Sequence, residues 1–193
     1  MNGRLITRRD EVLLEAIEFA VERHHGQWRK GTKVPYVLHP LNVGYLLLQH
    51  GCPEEVAVAG FLHDTLEDTV TTVEELRERF GERVAWLVQQ VTEPDKSQPW
   101  EVRKRHTVEH LRRVQDEDVL LIACADKLDN LQMIREGMRT HGVEVWERFK
   151  APLPAQRWYY TTLMEIFQQR LTREPGATLA ARTMEVARQV FGE

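Results

Sequence analysis

His63 and Asp64 stand side by side in an otherwise apolar stretch, GFLHDTLED, and two more acids, Glu67 and Asp68, follow at helical spacing. On a helix Glu67 lies one turn from His63 and Asp64, and Asp68 lies one turn from Asp64, so four polar groups share one stripe. Three carboxylates in a stripe repel one another, and burying them is costly unless a cation sits among them. A divalent metal ion is the simplest compensation. The plainer reading is a helix end in solvent, with His63 a satisfied core histidine. Two further residues bear on the choice: His39, at a helix start after a cationic loop, and Asp126, which interrupts the apolar run LLIACA. Together His39, His63, Asp64 and Asp126 offer two imidazoles and two carboxylates, a mixed set suited to Mn²⁺, Fe²⁺ or another first-row ion and poorly suited to Ca²⁺. On residue types alone both readings stay open.

These residues need elements to bring them together, and the periodicity supplies helices only. Val12, Leu13, Ala16, Ile17, Phe19 and Ala20 recur at three-to-four spacing, which predicts a helix from about Asp10 to His25. The segment GQWRKGTKVPYVL is rich in glycine and cations, and Pro35 disfavours helix at Val34, so a loop is expected. A second helix is predicted from His39-Pro40 to Gly51, and a third through VAVAGFLHDTLED. Thr72 followed by Glu75 is a capping-box pattern for TVEELRERF, and ERVAWLVQQV follows beyond Gly81. TEPDKSQP, with Pro94 and Pro99, predicts a mobile loop before the basic helix WEVRKRHTVEHLRRV. EDVLLIACADKLDNLQMI is expected to be a buried helix that presents polar groups to an interior site. Irregular sequence from Arg139 to Pro154 precedes a helix from about Ala155, and Glu174-Pro175-Gly176 sets off a last one, TLAARTMEVARQVF. No alternating strand pattern or internal repeat emerges. The fold class expected is all-α, irregularly packed.

The 193 residues fit one domain, with a motif core at about 16–134 and a carboxy-terminal helical extension at about 155–193. A formal charge of −4 gives the chain no overall footprint for nucleic acid. Any anionic ligand must meet a local basic cluster. Cys52 and Cys124 lie far apart and are expected to be reduced, buried thiols. The start, MNGRLITRRDEVLLEA, lacks the features of a signal peptide, and no window approaches the roughly 18 apolar residues of a membrane span. Cytoplasmic localisation, with no membrane or nucleic-acid partner, is the expectation. Oligomeric state is left open.

The segments HHGQWRKG, PYVLHP, GFLHDTLEDT, FGERVAWLV and ADKLDN, in this order, resemble the hydrolase domain of the RelA/SpoT-type alarmone enzymes, particularly the small stand-alone forms related to the metazoan SpoT homologue. The likeness runs from about Ala16 to Ile134 and, more loosely, to about Tyr160. It implies the HD-domain phosphohydrolase fold and a metal-dependent hydrolase that removes the 3′-pyrophosphate of (p)ppGpp or (p)ppApp, with Mn²⁺ as cofactor and a small nucleotide as partner. It implies His39, His63, Asp64 and Asp126 as metal ligands, and Glu67 and Asp68 as the pair that handles the attacking water. Arg29 and Lys30 resemble the cations that clamp the purine, and Asn130 the asparagine that contacts the nucleoside. Lys104, Arg105 and Arg157 are expected at the 5′-phosphates, on a looser correspondence; singly, each reads equally well as a solvated surface cation.

Asp129 stands where the long alarmone hydrolases commonly have histidine, Gln132 where they have a basic residue, and Met133 replaces a small polar one. These departures predict acceptance of adenosine alarmones as well as, or instead of, the guanosine forms. The competing expectations are another HD-type nucleotide phosphohydrolase, including an NADPH phosphatase, and a non-catalytic alarmone-binding module. Trp86 and Leu87 read as core, Trp158-Tyr159-Tyr160 as a packing cluster and Cys124 as a small buried hydrophobe. Nothing in the spacing of His24, His25, His106 or His110 joins them to the acidic stripe.

Overall fold

A computed structural model of the chain describes residues 8–93 and 95–192. Residues 1–7, at the start of the segment tested for a signal peptide, and Pro94 of the expected loop lie outside the described residues. Within them the chain is helical, with one isolated bridge, Trp28 to Pro35, closing the cationic loop. The helices are α1 (Arg8–Arg23), α2 (Leu38–Gln49), α3 (Glu54–Leu62), α4 (Thr65–Asp68), α5 (Val73–Phe80), α6 (Glu82–Val91), α7 (Trp100–Arg113), α8 (Glu117–His141), α9 (Leu153–Arg170) and α10 (Gly176–Phe191). A 3₁₀ turn, Gly142–Arg148, follows α8. None of these helices is long and apolar enough to cross a membrane.

The core is built around α8, against which α2, α3, α6, α9 and α10 all pack. Its first half, Val119 to Ala125, is buried on every side, which is why that stretch reads as unbroken apolar sequence. Asp116 caps α8 by accepting from the Asp118 N–H, and the Arg83 guanidinium grips Asp116 with two bonds at 2.6 and 3.0 Å, tying α6 to the start of α8. At the other side of the site α2 and α3 touch backbone to backbone. A Cβ on Gly44 would stand 2.3 Å from the Phe61 ring, and one on Gly60 would stand 2.5 Å from Leu47. Only glycine permits that approach, and it sets the distance between His39 on α2 and His63 after α3.

The third helix is not continuous. It stops at Leu62, the chain turns through His63-Asp64, and the short α4 begins at Thr65. Side chains cause the break: His63 Nδ1 donates to the Gly60 carbonyl at 2.9 Å and Thr65 Oγ1 to the Leu62 carbonyl at 2.7 Å, occupying acceptors a continuing helix would use. The helical spacing survives locally, because the Asp68 N–H still donates to the Asp64 carbonyl at 2.9 Å. Half of the expected capping box forms: the Glu75 N–H donates to Thr72 Oγ1 at 3.2 Å, while the Glu75 carboxylate accepts from Arg23. Helix α8 runs beyond the expected Ile134 to His141, so the irregular stretch is shorter than the sequence suggests. Tyr159 and Tyr160 are buried in the core as expected, and so are the unpaired Cys52 and Cys124.

Candidate metal centre and substrate cavity

Helix α2, the turn after α3 and the middle of α8 converge on one wall of a cavity of about 420 Å³. His39, His63 and Asp126 present ligand atoms that all lie within 4.8 Å of one another. Asp64 joins them from the side, with Oδ2 at 3.1 Å from His63 Nε2 and 3.5 Å from His39 Nε2. The structure thus brings the four expected residues to one place from three elements.

The hydrogen bonds settle which ring nitrogens face the cluster. His63 Nδ1 meets the Gly60 carbonyl, which only accepts, so Nδ1 carries the hydrogen. His39 Nδ1 meets Asp129 Oδ2 at 2.6 Å, and Asp129 also accepts from Asn42 Nδ2 at 2.8 Å and Arg29 Nη2 at 3.2 Å. Both rings therefore turn Nε2 toward Asp64 and Asp126, and His63 Nε2 is buried without a hydrogen-bond partner. Two imidazole nitrogens facing two carboxylates call for a positive charge between them. The electrostatics agree. Burial opposes a charge on His63, yet Asp64 and Asp126 outweigh it and push the ring up to about 9. Burial likewise opposes charge on Asp126, but Lys127 and His39 hold that carboxyl well below its usual range. A first-row divalent ion fits this donor set.

Each carboxylate is also held from behind. Tyr36 Oη donates to Asp64 Oδ2 at 2.6 Å, while Lys127 and Asn130 hold the two oxygens of Asp126. Glu67 and Asp68 line the same cavity, and Lys96, delivered by the loop before α7, pairs with both. Glu67 Oε2 accepts the Glu93 N–H at 3.2 Å. Burial pushes the Glu67 carboxyl up, and the Asp64 charge adds to this against the pull of Lys96.

The expected substrate contacts divide. Arg29, Lys30, Lys104 and Asn130 line the cavity. Arg29 is buried, Lys30 reaches over the Phe149 ring at 5.9 Å, and Lys104 pairs with the nearly buried Glu93. The other two do not line it. Arg105 stacks over Trp158 at 5.1 Å, and Arg157 donates to the Phe191 carbonyl at 2.6 Å; both are exposed and neither lines the cavity. Each faces outward on its helix, so the sequence order placed them near the site but the helical phase did not. Of the three departures, only Met133 lines the cavity, against Arg29 Nε; Gln132 does not, and Asp129 lies beneath His39, 6% exposed. Tyr36, Lys96 and Lys127 were missed by sequence reasoning, and Tyr159, read as packing, also lines the cavity. Lys127 had a signal, a second charge beside Asp126 in an apolar run, whereas Lys96 had none, since its role depends on where a loop folds. His106 and His110 line the cavity but do not belong to the metal-competent group.

A family model described as HD domain matches residues 16–156. The guanosine-3′,5′-bis(diphosphate) 3′-pyrophosphohydrolase of Aquifex aeolicus is 44% identical over 129 residues, which cover 64% of this chain and 18% of that longer protein. The human protein of that name, MESH1, is 35% identical over 170 residues, covering 82% of this chain and 94% of its own length. A solved structure described as a metazoan ortholog of SpoT that hydrolyzes ppGpp superposes with a TM-score of 0.75 at 28% identity, covering 97% of this chain and 98% of that one.

Proposed function

The chain belongs to the HD domain family, and from that premise we propose that it is a metal-dependent hydrolase that removes the 3′-pyrophosphate of purine alarmones. The observation that carries this reading is the pair of imidazoles whose Nδ1–H groups are committed elsewhere, leaving both Nε2 atoms turned toward Asp64 and Asp126. His39, His63, Asp64 and Asp126 would hold the ion, Mn²⁺ being our assignment. A bound divalent ion lowers the pKa of water and polarises the phosphoryl oxygen under attack.

The chain's own groups do the rest. Water attacks the phosphorus attached to the ribose 3′-oxygen, that P–O bond breaks, pyrophosphate departs, and the ribose oxygen must take up a proton. Glu67, whose carboxyl burial pushes up, is the group we assign to hold and deliver that proton; Asp68, one position on, orients the water. Lys96 limits the mutual repulsion of the two acids. Lys104 and Lys127, both lining the cavity, offset the charge of the polyphosphate, and Arg29, Lys30 and Asn130 meet the nucleoside. Met133 faces the same space and its thioether is only a weak acceptor, so it reads no purine edge, and adenosine alarmones belong in the substrate class with the guanosine forms. Two buried, unpaired thiols support a cytoplasmic enzyme, and residues 16–156 with the following helices support one hydrolase unit.

The test is a product assay with Mn²⁺ on ppGpp, pppGpp, ppApp and pppApp. Pyrophosphate release is expected from all four, and Asp64→Ala is expected to abolish it while retaining the helical circular dichroism. Orthophosphate release would transfer the chain to another class of HD phosphohydrolase, and a fully metallated but inert preparation would end the enzymatic reading. A several-hundredfold guanosine preference would end the adenosine part alone.

A further inference from the structure

Three donors from two elements converge on the buried carboxylate of Asp129: His39 Nδ1 from α2 at 2.6 Å, Asn42 Nδ2 one turn later on the same helix at 2.8 Å, and Arg29 Nη2 from the cationic loop at 3.2 Å. Asp129, Arg29 and His39 are 6%, 6% and 3% exposed, so water takes little part. His39 shares Oδ2 with Arg29, while Asn42 holds Oδ1, which fixes the plane of the carboxylate and with it the plane of the imidazole. Asp129 does not face the cavity opening. It reaches the metal centre through the ring of His39, whose far nitrogen lies 3.2 Å from Asp126 and 3.5 Å from Asp64.

We propose that Asp129 is a positioning residue of the metal centre: it holds His39 in the Nδ1–H form with Nε2 aimed at the ion, and its negative charge strengthens that nitrogen as a ligand. This rests on the metal reading above. A carboxylate behind a ligating histidine both selects the tautomer and raises its basicity, and losing such a group costs metal affinity roughly 10- to 100-fold. The arrangement also explains why Arg29 is buried, since the same carboxylate anchors it.

Asp129→Asn separates charge from shape. The asparagine oxygen can still accept from His39 and Arg29, and its amide can face Asn42, whose own amide can turn to accept. The pocket therefore stays filled and hydrogen-bonded while the negative charge is gone. Mn²⁺ binding is measured by calorimetry and by the loss of free-ion electron paramagnetic resonance, without nucleotide. The dissociation constant is expected to rise roughly 10- to 100-fold in Asp129→Asn, with thermal unfolding of the metal-free chain still cooperative. A constant within twofold of the wild type would overturn the proposal.

Should the variant fail to fold, the wild type answers instead. With diamagnetic Zn²⁺ bound, long-range ¹H–¹⁵N spectra are expected to show His39 with its hydrogen on Nδ1 and that proton shifted downfield by the carboxylate. A hydrogen on Nε2, or an Nδ1 proton exchanging freely with water, would overturn the proposal. A wild type that binds neither ion would overturn the metal reading and this inference together, whereas normal wild-type binding unchanged in Asp129→Asn overturns this inference alone.

Discussion

The hydroxyl of Tyr36 donates to Asp64 Oδ2 at 2.6 Å, the same oxygen that lies 3.1 Å from His63 Nε2. The tyrosine thereby fixes the carboxylate rotamer that faces both imidazoles. Burial, with the charges of Asp64 and Asp68 added, keeps this phenol protonated far above the usual range, so it acts only as a donor. A hydrogen bond to a charged group contributes about 1.5–3 kcal/mol. Tyr36→Phe, which deletes the donor and keeps the ring against His24 and His39, is expected to weaken Mn²⁺ binding about tenfold or more by titration calorimetry, at a cost of roughly one pK unit's worth of energy. Unchanged binding would show that Asp64 does not need this restraint.

The approach of α2 to α3 is expected to matter at a distance. In Gly44→Ala the new methyl would meet the Phe61 ring at 2.3 Å, and Phe61 is 3% exposed with no room to turn aside. Overpacking of this kind costs about 1–3 kcal/mol, more than the gain of about 1 kcal/mol in helix propensity. The melting temperature should fall, and Mn²⁺ binding should weaken with it, because the same shift separates His39 from His63. A variant as stable as the wild type would show that the two helices can part without penalty.

Much of this arrangement was legible in the sequence because its causes are local. The acidic stripe at His63, Asp64, Glu67 and Asp68 follows from spacing alone, and Asp126 announces itself by its cost in an apolar run. The break after Leu62 was not legible, because two side chains take the carbonyls of Gly60 and Leu62 and a periodicity argument does not see that competition. Nor was the contact of Asp129 with the His39 ring. On α8 this aspartate stands three residues from Asp126, close to one turn, and whether such a residue faces the cavity or the neighbouring helix depends on the position of α2. Arg105 and Arg157 show the reverse: cations expected at the site whose helical phase turns them away from this cavity.

His63 makes the metal-free chain sensitive to pH in a definite direction. Burial works against a charged ring, but Asp64 and Asp126 outweigh it and push His63 up from 6.5 to about 9. A raised folded-state value means that the contribution is fully present below about 6.5 and is lost as pH rises through about 9. In the presence of a chelator the melting temperature should therefore decline across that window. Saturating Mn²⁺ replaces the proton and should abolish the decline, with proton release on binding visible as a buffer-dependent calorimetric heat. A metal-free melting temperature that is flat or rises over the same range would show that the acids do not retain a cation.

Lys96 offers a way to assign the proton carrier. Its ammonium lies 3.2 Å from Glu67 Oε1 and pairs also with Asp68, and it lowers the Glu67 carboxyl against burial and the Asp64 charge, which raise it. Removing the cation in Lys96→Met must therefore move Glu67 further up. If Glu67 gives its proton to the departing ribose oxygen, the active form is the protonated one, and the alkaline limb of the pH–rate profile should shift to higher pH. If Glu67 instead accepts a proton from water, the acidic limb would move in that direction while the alkaline limb stays in place. The profile of Glu67→Gln serves as the control, since it should lose the responding limb along with about 10²–10⁴-fold of the rate. The outcome expected here is the alkaline shift, and an acidic-limb shift would exchange the roles assigned to Glu67 and Asp68.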